Sequence, residues 1–68
     1  MDEARIKVYG SATEITVAAN AAGLREPAER LIVLAGPELR SGYHEHLDGG
    51  TDLEDGSISL ILERDDKL

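Results

Sequence analysis

The run His44-Glu45-His46-Leu47-Asp48 holds the side chains best suited to chemistry in this sequence. On an extended strand alternate residues share a face, which places His44, His46 and Asp48 together at intervals of roughly 6.6 Å. Two imidazoles and a carboxylate are reasonable ligands for zinc or another divalent ion. The same spacing opens the metal motif of metallo-β-lactamase-like hydrolases, but those domains are several times longer and use further histidines. This chain has only two. The competing reading places the histidines on an open sheet face, or hydrogen-bonds one of them in the core. No metal or other cofactor is therefore expected, with His44, His46 and Asp48 as the residues to watch.

Carboxylates crowd the same stretch. Glu45, Asp48, Asp52, Glu54 and Asp55 fall within eleven residues that include no Lys or Arg. An EF-hand register fails from either start, because counting from Asp48 puts Leu53 sixth and counting from Asp52 puts Gly56 fifth. What remains is a solvated acidic loop, or an electronegative patch offered to a basic protein surface. No nucleophile elbow surrounds Ser11, Ser41, Ser57 or Ser59, and no phosphate-binding or dinucleotide fingerprint occurs. The chain is also too short to enclose a substrate cleft easily, so an enzyme is not expected.

The elements that must position these residues follow from periodicity. Arg5 to Tyr9 and Thr13 to Val17 alternate polar and apolar residues around Gly10-Ser11. They predict an antiparallel hairpin with Ile6, Val8, Ile15 and Val17 on one face. Asn20 is a good N-cap for a helix over about residues 21–36, with a loose first turn and a firm start near Leu24 that spares Pro27. Leu24, Ala28, Leu31 and Ala35 form its apolar stripe, with Leu34 beside it and Arg25, Glu26, Glu29 and Arg30 opposite. Gly36 can close the helix in a left-handed conformation, and Pro37 cannot extend it. Tyr43 to Leu47 reads as extended, residues 48–52 as a turn, and Ser57 to Glu63 as a strand with Ile58, Leu60 and Leu62 inward. Residues 64–68 read as a frayed tail. The fold class is α+β in the order ββαββ, one helix packed on a mostly antiparallel four-stranded sheet.

Sixty-eight residues make a single small domain over residues 1–68. With no Phe or Trp, two Tyr and one Met, its core must be aliphatic. No cysteine is present, which excludes disulfides, thiolate metal sites and cysteine nucleophiles. Fourteen acidic against seven basic residues give a net charge of −7. That balance repels nucleic acid; it serves solubility, or steers a basic protein partner. The longest apolar run, Leu31 to Ala35, is far below the ~20 residues of a membrane span. The acidic start, Met1-Asp2-Glu3, lacks a signal-peptide pattern, so a cytoplasmic protein without membrane contact is expected.

Gly42-Tyr43-His44-Glu45-His46-Leu47-Asp48, followed by Leu53, Gly56-Ser57 and a closing apolar strand, resembles the immunity protein 32 family of bacterial polymorphic toxin systems. The resemblance continues upstream through the Gly10 turn, Asn20, Gly23-Leu24 and the Leu-rich helix. Pro27 and the paired Gly49-Gly50 depart from the family pattern. The resemblance implies a non-enzymatic cytoplasmic immunity protein that binds and neutralises a cognate toxin, commonly encoded nearby. The partner surface expected on this reading holds Tyr43 as an aromatic anchor, with His44, His46, Asp48, Asp52, Glu54 and Asp55 facing a basic toxin site. The alternatives are a small metal-binding or regulatory accessory domain, and a homodimeric structural subunit joined through an edge strand.

Overall fold

The protein is described here by a computed structural model covering residues 3–68. The acidic start at Met1-Asp2 lies outside the described residues. Four strands and one helix follow in the order β1 (Ile6–Gly10), β2 (Ile15–Ala19), α1 (Ala21–Leu34), β3 (His44–Leu47) and β4 (Leu60–Glu63). The α+β class and the ββαββ order are those read from the sequence.

The first hairpin has the expected face. Val8 pairs with Val17, Ile6 with Ala19 and Gly10 with Ile15, which puts Ile6, Val8, Ile15 and Val17 on one side. In the second hairpin His44 pairs with Glu63, Glu45 with Leu62, His46 with Ile61 and Leu47 with Leu60.

The strands do not join into one four-stranded ladder. They form two antiparallel pairs, β1 with β2 and β3 with β4. The segment between β3 and β4 closes the gap, with the Glu54 amide donating to the Ile6 carbonyl at 2.7 Å and the Ile58 amide to Val8 at 2.9 Å. The Val8 amide donates in turn to the Ser57 hydroxyl at 3.1 Å. The predicted strand from Ser57 is therefore shortened to Leu60–Glu63, because Ser57 and Ile58 serve the free edge of β1. Leu60 and Leu62 turn inward as expected, whereas Ile58 is exposed.

The core is small and aliphatic: Ile6, Val8, Leu47 and Leu53 pack together with Ala19, Leu60 and Leu62 at their margin. It joins the two hairpins through their inner faces, while the helix packs beside β2 and adds no side chain to this cluster.

The helix starts earlier than expected and turns a different face inward. Asn20 caps it, its side-chain oxygen accepting from the Gly23 amide at 2.8 Å, so the regular turn begins at Ala21 and Pro27 lies in the second turn. Pro27 has no N–H to offer the Gly23 carbonyl, which therefore lacks its usual helical donor. The cap survives this loss because Asn20 also fastens the chain before β1. Its oxygen accepts from the Arg5 amide at 3.1 Å, and its amide donates to the Glu3 carbonyl at 2.7 Å. Asn20→Ala is expected to cost about 1.5–2 kcal/mol in urea unfolding, above the ~1 kcal/mol typical of an N-cap, because three bonds go at once.

Gly23, Pro27, Arg30 and Leu34 form the inward face; Gly23 and Leu34 are buried and the other two half-buried. The apolar stripe Leu24, Ala28, Leu31 and Ala35 is exposed, correcting the sequence expectation. The cause is local. A Cβ on Gly23 would collide with the Arg5 carbonyl and lie 3.0 Å from the Ala19 Cβ, so the backbones of α1 and the first hairpin approach through this glycine. That contact fixes the helix rotation, and it carries no hydrophobic signal.

Gly36 does not adopt the left-handed conformation expected of it; positive φ occurs at Gly42, Gly50 and Gly56. The helix ends instead at Ala35, whose amide donates to the Leu31 carbonyl. Arg64, assigned to the tail by sequence, reaches back to this end. Its Nη1 lies 3.1 Å from the Leu34 carbonyl oxygen, 2.7 Å from that of Gly36 and 3.0 Å from that of Leu39.

Candidate functional site

The pleat of β3 decides where each candidate side chain goes. Leu47 is buried in the core, so Glu45 must turn to the same inner side and His44 and His46 to the outer one. Both histidines are exposed. Their ring centroids are 5.1 Å apart in an edge-to-face arrangement, with Ile61 and Glu63 opposite them on β4. His44 also holds the turn before the strand, its Nδ1 lying 3.1 Å from the Gly42 carbonyl oxygen.

Tyr43 does not join them. It precedes β3 by one residue, and alternation assigns it to the side of Glu45 and Leu47, where it stays half exposed. An anchoring role shared with the histidines would need a partner that wraps around the hairpin edge.

The loop from Asp48 to Gly56 is a compact turn. The Asp48 carbonyl accepts from the Leu53 amide at 3.0 Å and from the Thr51 hydroxyl at 3.1 Å, and the Gly50 amide donates to the Leu53 carbonyl at 2.8 Å. Gly50 sits at φ +85, a conformation costly for any residue with a Cβ, and so lets the chain double back. This turn drives Leu53 into the core and leaves the carboxylates outside.

Those carboxylates are not equivalent. Asp52 lies 3.8 Å from Arg30 and accepts from the Asp48 amide at 3.2 Å. Glu54 is held by the Arg5 guanidinium. That hydrogen bond, followed by the charge of Glu54, raises the Arg5 pKa further above its ordinary value, so Arg5 stays cationic under all working conditions. Among the described residues the carboxylates of Asp48 and Asp55 have no ion pair, and Asp55 uses only its backbone carbonyl, which accepts from Lys7 at 2.7 Å.

Arg30 and Arg5 are the residues that sequence reasoning missed. Arg30 stands on the inward face of α1, between Glu26 at 3.8 Å, Glu45 at 3.6 Å and Asp52 at 3.8 Å. The buried Oε2 of Glu45 has no hydrogen-bond partner, so the nearby guanidinium compensates it by charge alone. The usable signal was the spacing Gly23-Pro27-Arg30-Leu34, which marks one helical face once Gly23 is known to be the contact point.

The acidic surface is thus half neutralised from within. Two outward histidines, Glu63 opposite His44, and the loop's two unpaired aspartates remain on the β3–β4 side and its loop. Among the described residues no three His, Asp or Glu side chains converge as a metal site. Nor is any helix there long and apolar enough to cross a membrane.

Comparison with known proteins gives one positive finding: a family described as Immunity protein 32 matches residues 14–65. No curated protein and no solved structure matches the chain.

Proposed function

Because the chain belongs to the immunity protein 32 family, we propose that it binds and neutralises a cognate bacterial toxin, acting as a non-enzymatic inhibitor in the cytoplasm. The contact surface is the outer face of the β3–β4 hairpin with the adjoining loop. His44 and His46 supply hydrogen bonds, and Asp48 and Asp55 supply unpaired negative charge. Asp52 and Glu54 hold the loop in shape through Arg30 and Arg5 and take part as its acidic rim. Tyr43 contacts the partner only if it reaches round the strand.

The observation that carries this reading is the division of labour among the carboxylates. In a chain of net charge −7, Asp48 and Asp55, in the loop that follows the histidine strand, have no ion pair among the described residues, whereas Asp52 and Glu54 are held by Arg30 and Arg5. A field of that sign steers a basic surface and raises its association rate.

The test is growth rescue. A toxin domain encoded beside the gene is induced in a heterologous host with the wild-type chain or with a His44→Ala/His46→Ala variant. Rescue by the wild type and loss of rescue by the folded variant are expected, and failure of the wild type to rescue as soluble protein removes the proposal. Asp48→Lys/Asp55→Lys is expected to slow toxin association about tenfold at low salt, with much less effect at high salt. An unchanged rate at both salt concentrations would remove the electrostatic part.

A further inference from the structure

We infer that the exposed face of α1 is the seat of a second copy of this chain, packed antiparallel about a two-fold axis at Ala28. Three observations converge on that occupant, and none depends on the toxin reading.

The first is the amount of surface. The chain exposes 5235 Å², whereas a folded monomer of this mass exposes about 4,200 Å². The excess of about 1,000 Å² is close to what one partner gives to a stable interface, about 800 Å². The shape agrees, for the backbone extends 34 × 31 × 17 Å, a slab rather than a ball.

The second is where apolar surface lies. Ala21, Leu24, Ala28, Leu31, Ile32 and Ala35 are all exposed. At 100° per residue they occupy one continuous arc of about 100°, the width of a stripe that packs against another element. Leu24 is 53% exposed and Ile32 is 72% exposed, so nothing among the described residues covers them.

The third is symmetry, which selects a second copy over an unrelated protein. Around Ala28 all of the stripe but Leu31 is matched in both directions: Leu24 and Ile32 stand four residues away on either side, Ala21 and Ala35 seven away, while Leu31 has Arg25 at its mirror position and would meet that residue's aliphatic stem. An isologous interface requires such self-complementarity, because residue i meets j while j meets i. Antiparallel packing then sets Leu24 against Ile32 of the second copy and the small Ala28 at the crossing. The helix dipoles oppose, which is favourable. Charge permits it as well: α1 carries Arg25, Glu26, Glu29 and Arg30 and is neutral, and the carboxylates of Glu63, Asp65 and Asp66, which share a groove with Leu31 and Ala35, stand at the end of the stripe where the second copy brings its helix N-terminus.

Sedimentation equilibrium on the whole protein at about 50 µM, enough to populate a dimer of micromolar affinity, should give about twice the 7.3 kDa chain mass. Ala28→Glu and Ala28→Lys each place like charges face to face on the axis and should weaken the dimer about 100-fold or more. Both introduce good helix formers at an exposed position, so circular dichroism should remain that of the wild type. Mixing the two variants should restore the dimer as a 1:1 heterodimer. Ile32→Glu, one turn along, should also give a monomer. A monomeric wild type overturns the inference. So do charged variants that still dimerise, which would point to the free edge of β2, and a mixture that stays monomeric.

Discussion

Arg64→Met is expected to lower the stability of the fold by about 3 kcal/mol, with a fall in melting temperature on the order of 15 °C for a chain of this size. One charged nitrogen serves three carbonyls at the end of α1. Nη1 carries two hydrogens, so two of the bonds are strong at any moment and the third is shared. Each hydrogen bond from a charged donor is worth roughly 1.5–3 kcal/mol by substitution, and the values do not add fully. A smaller gain comes from a cation at the negative end of the helix dipole, which has no basic residue of its own in the last turn. Because the side chain is a quarter exposed, water replaces part of what is lost. Arg64→Lys should recover less than half, since an ammonium lacks the planar fork that spans separated acceptors. Asp66→Asn is the control. It removes the carboxylate 3.1 Å from Nε but leaves the cap intact, and should change stability by less than about 1 kcal/mol. Urea unfolding of the three variants checks the series, and equal losses for Lys and Met would deny the carbonyl cap its role.

Gly23→Ala is expected to destabilise by about 2 kcal/mol, reversing the usual sign of this change in a helix. Alanine at an ordinary helical site gains about 1 kcal/mol over glycine. Here the new methyl would meet the backbone of Arg5, which cannot swing aside like a side chain, and would press on Ala19. The Arg5 carbonyl is also the acceptor for the Asn20 amide at 3.2 Å, so moving it disturbs the helix cap as well. Overpacking against backbone costs about 1–3 kcal/mol and here outweighs the propensity gain. Denaturant unfolding reads the sign directly, and a stabilised Gly23→Ala protein would mean that helix and hairpin are not in fixed contact.

These two residues also mark the limit of what the sequence disclosed. The first hairpin, its shared face and the common side of His44 and His46 follow from period-two alternation, which is a property of the strand itself; that this side is the outer one follows only from the packing of Leu47 with Ile6, Val8 and Leu53. The helix was legible as a helix, but its rotation was not. The stripe from Leu24 to Ala35 is the stronger hydrophobic pattern, while the face that actually turns inward contains a glycine, a proline and an arginine. Likewise Gly36 and Pro37 mark where the helix stops without revealing that a residue almost thirty positions later would cap it. Asp52 and Glu54 looked like free charge because their partners, Arg30 and Arg5, are distant in sequence. What was missed in each case is a contact between remote segments, to which local periodicity is blind.

The placement of β1 bears on how the molecule comes apart. One edge is paired with a neighbour a few residues away, while the other is closed by Glu54, Ser57 and Ile58, almost fifty positions along the chain. Ile6 and Val8 are shielded only when both are in place, and Leu47 and Leu53 belong to the same cluster. Releasing the 54–58 segment therefore strips the centre of the molecule at once. Such an architecture has no subdomain that can open and reseal on its own. Amide exchange at Val8 and Leu47 is then governed by a single all-or-none event, and its free energy is that of the entire chain.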